Sequence, residues 1–467
     1  MTFVSIEFVC LFLAVFVLYF HLPRTYRNPL LLVASAIFYM WWRPVYILII
    51  LFSVTVDYFI ALKLEHGKAG TRKLLLTVSL VTNLGLLFFF KYYEFAAENL
   101  RGLLGWAQIP WQPPVLNLIL PIGISFHTFQ ALSYTIDVYR GQIPVERNLL
   151  KLWLYVLFFP QLVAGPIERA GRLLPQFDED HVWDGERVKS GLRLILWGFV
   201  KKAAVADRLA ILVDPVFQFP NRFAGLPLLL AMWGFSFEIY ADFSGYSDIA
   251  IGTARVLGFR LMENFRQPYF AAGIGEFWRR WHISLSTWFR DYLYIPLGGS
   301  RKGPVVEAGA ILATFVLSGL WHGARWTFVV WGAYHGLLLL LSHAIRSSKR
   351  LILGLSSWAQ AFITFNLVSV GWVFFRAPSL TDAGSILSRM FEKPMYMPLE
   401  SLKITPSWIA VTACGVAILV VGDLYLALSK NRTGWPTPVR WLAYAAGTIL
   451  VFSANTGRDI PFIYYQF

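Results

Sequence analysis

Long apolar runs dominate both ends of the chain, each closed by basic or turn-forming residues. Residues 3–20, 29–40, 45–62, 74–90 and 115–138 make up the first group. Residues 307–323, 326–344, 357–374, 408–428 and 439–453 make up the last. A helix needs ~20 apolar residues to cross a bilayer core, so these runs read as membrane spans, with 29–40 short of that length. Only helices or closed barrels satisfy every backbone polar group in lipid, and runs of this length and uniformity are helical. The expected fold class is therefore an all-α polytopic membrane protein with about eleven transmembrane helices plus re-entrant and interfacial ones.

The middle of the chain breaks this rhythm. Residues 149–164 stop at Gly165-Pro166. Residues 168–189 are polar, with Asp178, Glu179, Asp180 and Asp184 among basic residues, and read as a soluble connector. Residues 192–213 carry Lys201, Lys202, Asp207 and Arg208, which suits a helix lying at the interface. Residues 226–240 are apolar again and run into Asp242-Phe-Ser-Gly-Tyr-Ser-Asp248. There Asp242 and Ser244 are equally readable as helix caps or as lining of a cavity.

Residues 276–300, EFWRRWHISLSTWFRDYLYIPLGGS, show helical periodicity. Trp278, Trp281, Leu285, Trp288 and Tyr292 fall on one side, and Arg279, His282, Ser286 and Arg290 on the adjoining arc. Pro296 and Gly298-Gly299 end the pattern. Such a polar arc among membrane spans is tolerated only against protein or a water-filled cavity, so a re-entrant or cavity-lining helix is expected.

Composition agrees with the membrane reading: of 467 residues, 57% are hydrophobic, 17% aromatic and only 15% charged. The net charge of +14 does not point to nucleic acid, because Lys and Arg sit mostly in short loops between apolar runs. Arg24 and Arg27 mark the first loop, and Lys63, Lys68, Arg72 and Lys73 the third, while the turn between them holds only Arg43. Basic loops face the cytoplasm, so the N-terminus is expected on the periplasmic or extracellular side. No cleavable signal peptide is evident, since no basic region precedes residues 3–20. Cys10 and Cys414 both lie in apolar stretches and build neither a disulfide framework nor a metal site. With no fixed-period repeat and no low-complexity linker, 1–467 is read as one domain. It comprises N-terminal spans (1–148), an irregular cavity-forming core (149–303), and C-terminal spans with a tail (304–467).

Two histidines stand out. His322 closes an apolar helix and is framed by Gly319 and Gly323, a small-xxx-small pair that lets another backbone approach. His282 lies where the polar and aromatic arcs of 276–300 meet. Ionisable groups within membrane segments are functional candidates by default, although a histidine satisfied by a carbonyl is the plainer alternative for either one alone. Metalloprotease, nucleophile-elbow, P-loop and dinucleotide-binding patterns are absent, as is a histidine followed by Asp after four residues. Two histidines without grouped carboxylates or cysteines make a poor metal site, so none is expected. Arg279, Arg280 and Arg290 either attract phosphates of a donor or pair with Glu276 and Asp291.

The chain resembles the membrane-bound O-acyltransferases, in the branch containing the membrane subunit of bacterial alginate O-acetylation. The resemblance rests on ENFRQPY (263–269), EFWRRWHISLSTWFRDYLYIPLGGSRKG (276–303) and SGLWHGARWTFVVWGAYHG (318–336). Further matches are LPIGISFHTFQALSYTIDVYRG, FPQLVAGPIER, GFVKK, DFSGYSDIAIG and the terminal FIYYQF. They follow the family's order along most of the chain; His127, where an aromatic such as Tyr is expected, departs from it. The resemblance implies helices around a central funnel or tunnel, with His322 and His282 as the active-site histidines. Asn264, Arg279, Ser286, Arg290, Trp321, Asp242 and Ser244 become candidate cavity-lining residues. It implies an O-acyltransferase, in particular an O-acetyltransferase, in the bacterial inner membrane. Such an enzyme binds no tight cofactor and takes its acyl group from a cytoplasmic thioester donor, acetyl-CoA or an acyl carrier protein. It serves export-coupled modification of a polysaccharide such as alginate, with a periplasmic or membrane-anchored acyltransferase as partner.

The chemistry is consistent with those residues. A hydroxyl attacking a thioester carbonyl needs a base near neutral pH, and imidazole, at ~6.5, provides one. His322 is the candidate base, while His282, Asn264 or a backbone N–H is available to the oxyanion or to substrate orientation. The terminal aromatic stretch reads either as an anchor in an apolar groove or as a relay in which Tyr464 carries the acyl group transiently. Two other readings remain open at the level of sequence: a transporter with proton-relaying histidines, and a lipid O-acyltransferase of the same family.

Overall fold

The computed structural model describes residues 1–116, 118–163, 165–347, 355–394, 405–428, 437–454 and 462–463. Among them the chain is helical, with short 3-10 and π turns and no strand. The helices are α1 (Ile6–His21), α2 (Arg24–Met40), α3 (Ile47–His66), α4 (Ala69–Leu87), α5 (Tyr93–Trp106), α6 (Ile124–Tyr139), α7 (Leu149–Leu157), α8 (Ala170–Leu173) and α9 (Gly185–Phe199). There follow α10 (Asp207–Gln218), α11 (Leu226–Leu257), α12 (Ile274–Arg280), α13 (Ile283–Phe289), α14 (Pro304–His322) and α15 (Trp326–Ser347). The last are α16 (Ser357–Arg376), α17 (Leu380–Arg389), α18 (Pro406–Leu428) and α19 (Thr437–Ser453). Their starts follow ordinary capping chemistry. Ser5 accepts from the Phe8 N–H, Asn148 from Lys151 and Ser356 from Ala359, and Pro304 opens α14 at a position that needs no N–H.

Seven of the described helical segments are long and apolar enough to cross a membrane: Pro44–His66, Ala69–Trp106, Leu226–Leu257, Pro304–His322, Trp326–Ile345, Ser357–Arg376 and Pro406–Ala427. The other expected spans are shorter. Helix α1 is apolar but has 16 residues, and α2 and α19 have 17 each.

Several local expectations change. The run 115–138 is helical only from Ile124, because Pro121 and a left-handed Gly123 precede α6. The run 149–164 is helical only to Leu157 and then turns through residues 158–163. DFSGYSD caps nothing, since it lies inside the 32-residue α11. Nor is 276–300 one helix: α12 and α13 are separated at Trp281-His282, and a π turn follows α13.

By contact the chain falls into two compact units, residues 1–193 with 250–262, and residues 194–249 with 263–467. In the first unit, Glu168, Gln176 and His181 of the expected solvated connector are buried. The reason is that the connector supplies hydrogen bonds to loop backbone: Gln176 accepts from the Arg260 N–H and Glu168 from the Met262 N–H. In the second unit, Lys201 and Lys202 do not snorkel to an interface. Lys201 lies 2.8 Å from Asp248, and Lys202 lies 2.7 Å from Asp207 and 2.9 Å from Asp242. Carboxylates of α10 and α11 make burial of these two ammonium groups tolerable.

Helices α14 and α15 pack very closely. A Cβ on Gly319 would sit 2.1 Å from the Phe328 carbonyl oxygen, and one on Gly332 would sit 2.2 Å from that of Phe315. Small residues here set how near the two backbones come, and so where His322, at the end of α14, is held.

Candidate active site

The site is built in the second unit around the break between α12 and α13. His282 adopts the left-handed conformation, φ 43° and ψ 54°, which an imidazole-bearing residue rarely takes. The segment 264–266 holds that turn from both sides. The Ile283 N–H donates to the Asn264 carbonyl at 2.9 Å, and the Arg266 N–H donates to the Arg280 carbonyl at 2.9 Å. The Ser286 N–H and hydroxyl close the turn further, donating to the carbonyls of His282 and Trp281. Local strain is thus stored at His282 and held by a latch 18 residues away in the chain.

The Asn264 side chain then decides the chemistry of the ring. Its Oδ1 lies 3.1 Å from His282 Nδ1 and accepts from Ser284 Oγ at 2.9 Å and from the Ser284 N–H at 3.3 Å. Its Nδ2 donates to Ser247 Oγ at 3.1 Å. A backbone N–H can only donate, so the atom facing it must be the amide oxygen. His282 Nδ1 therefore carries the proton, and Nε2 presents a lone pair. Asn264 is 1% exposed, is not among the residues lining the cavity, and contacts the His282 ring.

His282 and His322 line the same cavity, of about 950 Å³. Trp278, Trp281, Ile311 and Phe315 form its apolar walls, and Arg266, Arg279, Arg280 and Arg290 supply its basic groups. Ser286 also lines it. Trp321 does not; its ring stands 5.0 Å from that of His322 and 6.3 Å from that of His282, in contact with both. His322 packs edge-on against Trp331 and Phe375, each at 5.2 Å.

The arginines divide. Arg280 pairs with Glu276 at 2.5 Å, Arg290 with Asp291 at 2.8 Å and Arg266 with Glu263. Arg279 forms no ion pair among the described residues, so pairing accounts for the other three.

Asp242 and Ser244 are buried in α11 and do not line this cavity. Tyr464 lies outside the described residues. His343 joins the cavity wall, whereas His335 sits in a box of rings with Trp278 at 5.0 Å and Trp331 at 5.1 Å. It is packed, but neither ring nitrogen has a hydrogen-bond partner among the described residues. Among those residues no group of three His, Cys, Asp or Glu is placed to hold a metal.

Reasoning from sequence missed Ser284 and Ser247, which orient Asn264, and Phe243, whose ring meets His282 edge-on at 4.6 Å. Only Ser284 had a local signal, two residues after the histidine. Ser247 and Phe243 reach the site through tertiary packing.

The chain matches MBOAT, the membrane-bound O-acyltransferase family, over residues 8–376. It is 42% identical to the probable alginate O-acetylase AlgI of Pseudomonas putida, an alignment covering 100% of both chains. The peptidoglycan O-acetyltransferase of Helicobacter pylori is 36% identical over 82% of this chain and 78% of its own. The teichoic acid D-alanyltransferase of Bacillus subtilis is 31% identical over 57% of this chain and 71% of its own. With two buried histidines facing one cavity between membrane-spanning helices, and with this extent of match, the chain belongs to the membrane-bound O-acyltransferase family.

Proposed function

We propose that this O-acetyltransferase takes an acetyl group from a cytoplasmic thioester, acetyl-CoA or an acyl carrier protein, and moves it across the bacterial inner membrane. The final acceptor in this reading is an exported polysaccharide such as alginate, reached through a periplasmic or membrane-anchored acyltransferase partner. The names of the relatives support a polymer acceptor, and the near-complete alignment with an alginate O-acetylase favours alginate among them. The N-terminus lies on the periplasmic or extracellular side in this reading, which the basic first and third loops support. The whole chain works as one domain, with about eleven spans around a tunnel that opens from the histidine cavity.

The observation that carries this reading is the fixed tautomer of His282 in a cavity shared with His322. A hydroxyl oxygen attacks the thioester carbonyl and its proton passes to His322. The tetrahedral oxyanion collapses, and the thiolate leaves with the proton returned by the imidazolium. Neutral His282 has no proton on Nε2, so it does not donate to the oxyanion; the attacking hydroxyl's single proton goes to His322, and the His282 lone pair accepts from a second donor of the bound substrate and orients it. Asn264 holds that tautomer. Arg279 receives a phosphate of the donor at the cavity. In the relay form of the reaction the first hydroxyl is the phenol of Tyr464, whose ester is then passed outward.

The test is acetyl transfer from a labelled thioester by protein reconstituted in vesicles. His322→Ala should lower the rate by roughly 10²–10⁴-fold with insertion unchanged, as for loss of a general base. Full activity in well-inserted His322→Ala protein would refute the assignment.

A further inference from the structure

We infer that the Lys202–Asp242 ion pair is a socket for Phe462 and Ile463 near the chain's end, and that these two seated residues are a positioning element for His282. The inference rests on the assignment of His282 to the reacting site. It starts from Asp242, in the interior of α11 and 3% exposed. One carboxylate oxygen lies 2.9 Å from Lys202 Nζ; the other accepts from the Ile463 N–H at 2.7 Å. Lys202 is held in turn by Asp207 at 2.7 Å. An acidic side chain in mid-helix is thus used to grip backbone 221 residues away.

The neighbouring side chain supplies the register. Phe462 is fully buried, with its ring 4.3 Å from that of Tyr246 and 5.8 Å from that of Phe243. Phe243 in turn meets the His282 ring edge-on at 4.6 Å and 90°. Asp242, Phe243 and Tyr246 are one turn of α11, so a single helical surface binds the tail on one side and the imidazole on the other. The end of α19 is tied down as well: Arg208 donates to the Ala454 carbonyl at 3.4 Å, and Ala454 packs with Val200 and Ala204.

Two features make this a built site rather than a chance contact. A backbone N–H buried beside a carboxylate gains a charge-assisted hydrogen bond that would be missed if the tail left. The Phe462 ring fills space beside Phe243 that would otherwise be a cavity, leaving the His282 contact unsupported on one side. Asn264 fixes the tautomer and rotation of His282 from one direction, and the tail-backed Phe243 fixes its ring plane from another.

The experiment uses the full chain with Cys10 and Cys414, both exposed, replaced by Ala. Ile463→Cys then places a thiol at a buried position whose backbone N–H remains. In the otherwise intact protein N-ethylmaleimide should modify it slowly. Labelling should accelerate by roughly tenfold or more when Asp242→Ala removes the charge-assisted bond. Phe462→Ala should do the same with the ion pair intact, which keeps the test valid if Asp242→Ala fails to fold. Equal labelling in all three proteins would overturn the socket, and it is read without any turnover, so it does not depend on the proposed reaction. For positioning, Phe462→Ala on the native cysteine background should lower kcat by about twofold to tenfold, the worth of one aromatic edge contact. The donor KM should be unchanged, and Phe462→Leu, which refills the space, should recover most of the loss. Unchanged kcat in Phe462→Ala protein with a freed tail would overturn the positioning role.

Discussion

Removing the Asn264 side chain tests the central argument about His282. Asn264→Ala deletes one oxygen that takes three donors, from His282 Nδ1, Ser284 Oγ and the Ser284 N–H. The Ser284 hydroxyl can turn elsewhere, but the imidazole N–H and the backbone N–H are left in a buried site at about 1–3 kcal/mol each. Only the first of these bears on rate. Without it the ring is free to rotate or to carry its proton on Nε2, where it no longer accepts from a substrate donor. A loss of about 1.4–2.8 kcal/mol in the preferred state is a fall in kcat of roughly tenfold to a hundredfold. The left-handed turn at His282 itself costs about 1–2 kcal/mol, and its backbone latch through the Asn264 carbonyl survives the substitution. The loss should therefore stop short of that for His282→Ala. Steady-state acetyl transfer in vesicles, with donor concentration varied, should show the deficit in kcat with donor KM within about twofold. Asn264→Asp keeps an acceptor for all three donors and should retain more activity than Asn264→Ala. Wild-type kcat in Asn264→Ala protein, or no advantage for Asn264→Asp, would refute the tautomer argument.

Three further outcomes are expected. Arg279→Ala should raise KM for a phosphate-bearing thioester several-fold and leave kcat little changed, and Arg279→Lys should recover part of it, because in the proposed reading this guanidinium, without an ion pair among the described residues, receives the donor's phosphate. An effect on kcat alone would refute that role. Gly319→Ala should lower folded yield and thermal stability in detergent by more than about 2 kcal/mol, since its Cβ would meet the Phe328 carbonyl oxygen at 2.1 Å; a normal melting temperature would contradict the close approach. Burial raises the Glu168 carboxyl from 4.5 to about 7, with the Met262 N–H and the neighbouring arginines opposing. Because the folded value lies above the unfolded one, the fold favours the protonated form. The resulting stability is present below about 4.5 and is lost as pH rises through about 7, by roughly 3 kcal/mol in all. Glu168→Gln should flatten that dependence in melts between pH 5 and 8; an unchanged slope would place the titrating group elsewhere.

Sequence alone determined the parts of this protein that are local. Apolar length marked the long spans, because the bilayer sets one length for every crossing helix. The same logic singled out His282 and His322, since an imidazole is conspicuous among Trp, Phe and Leu. Gly319 was legible as a close-approach position, as a glycine recurring every fourth residue marks one helix face. What the sequence could not carry was anything that depended on a partner far along the chain. Periodicity across 276–300 is continuous, yet the helix breaks at His282, because hydrogen bonds from 264–266 stabilise a backbone conformation that no local preference favours. DFSGYSD and the two lysines each look misplaced when read separately. Packed together, Asp242 and Asp248 on α11 neutralise Lys202 and Lys201, and α11 passes through without interruption. The proton on His282 was decided last and furthest from local sequence, by an amide oxygen whose orientation follows from one backbone N–H it must accept.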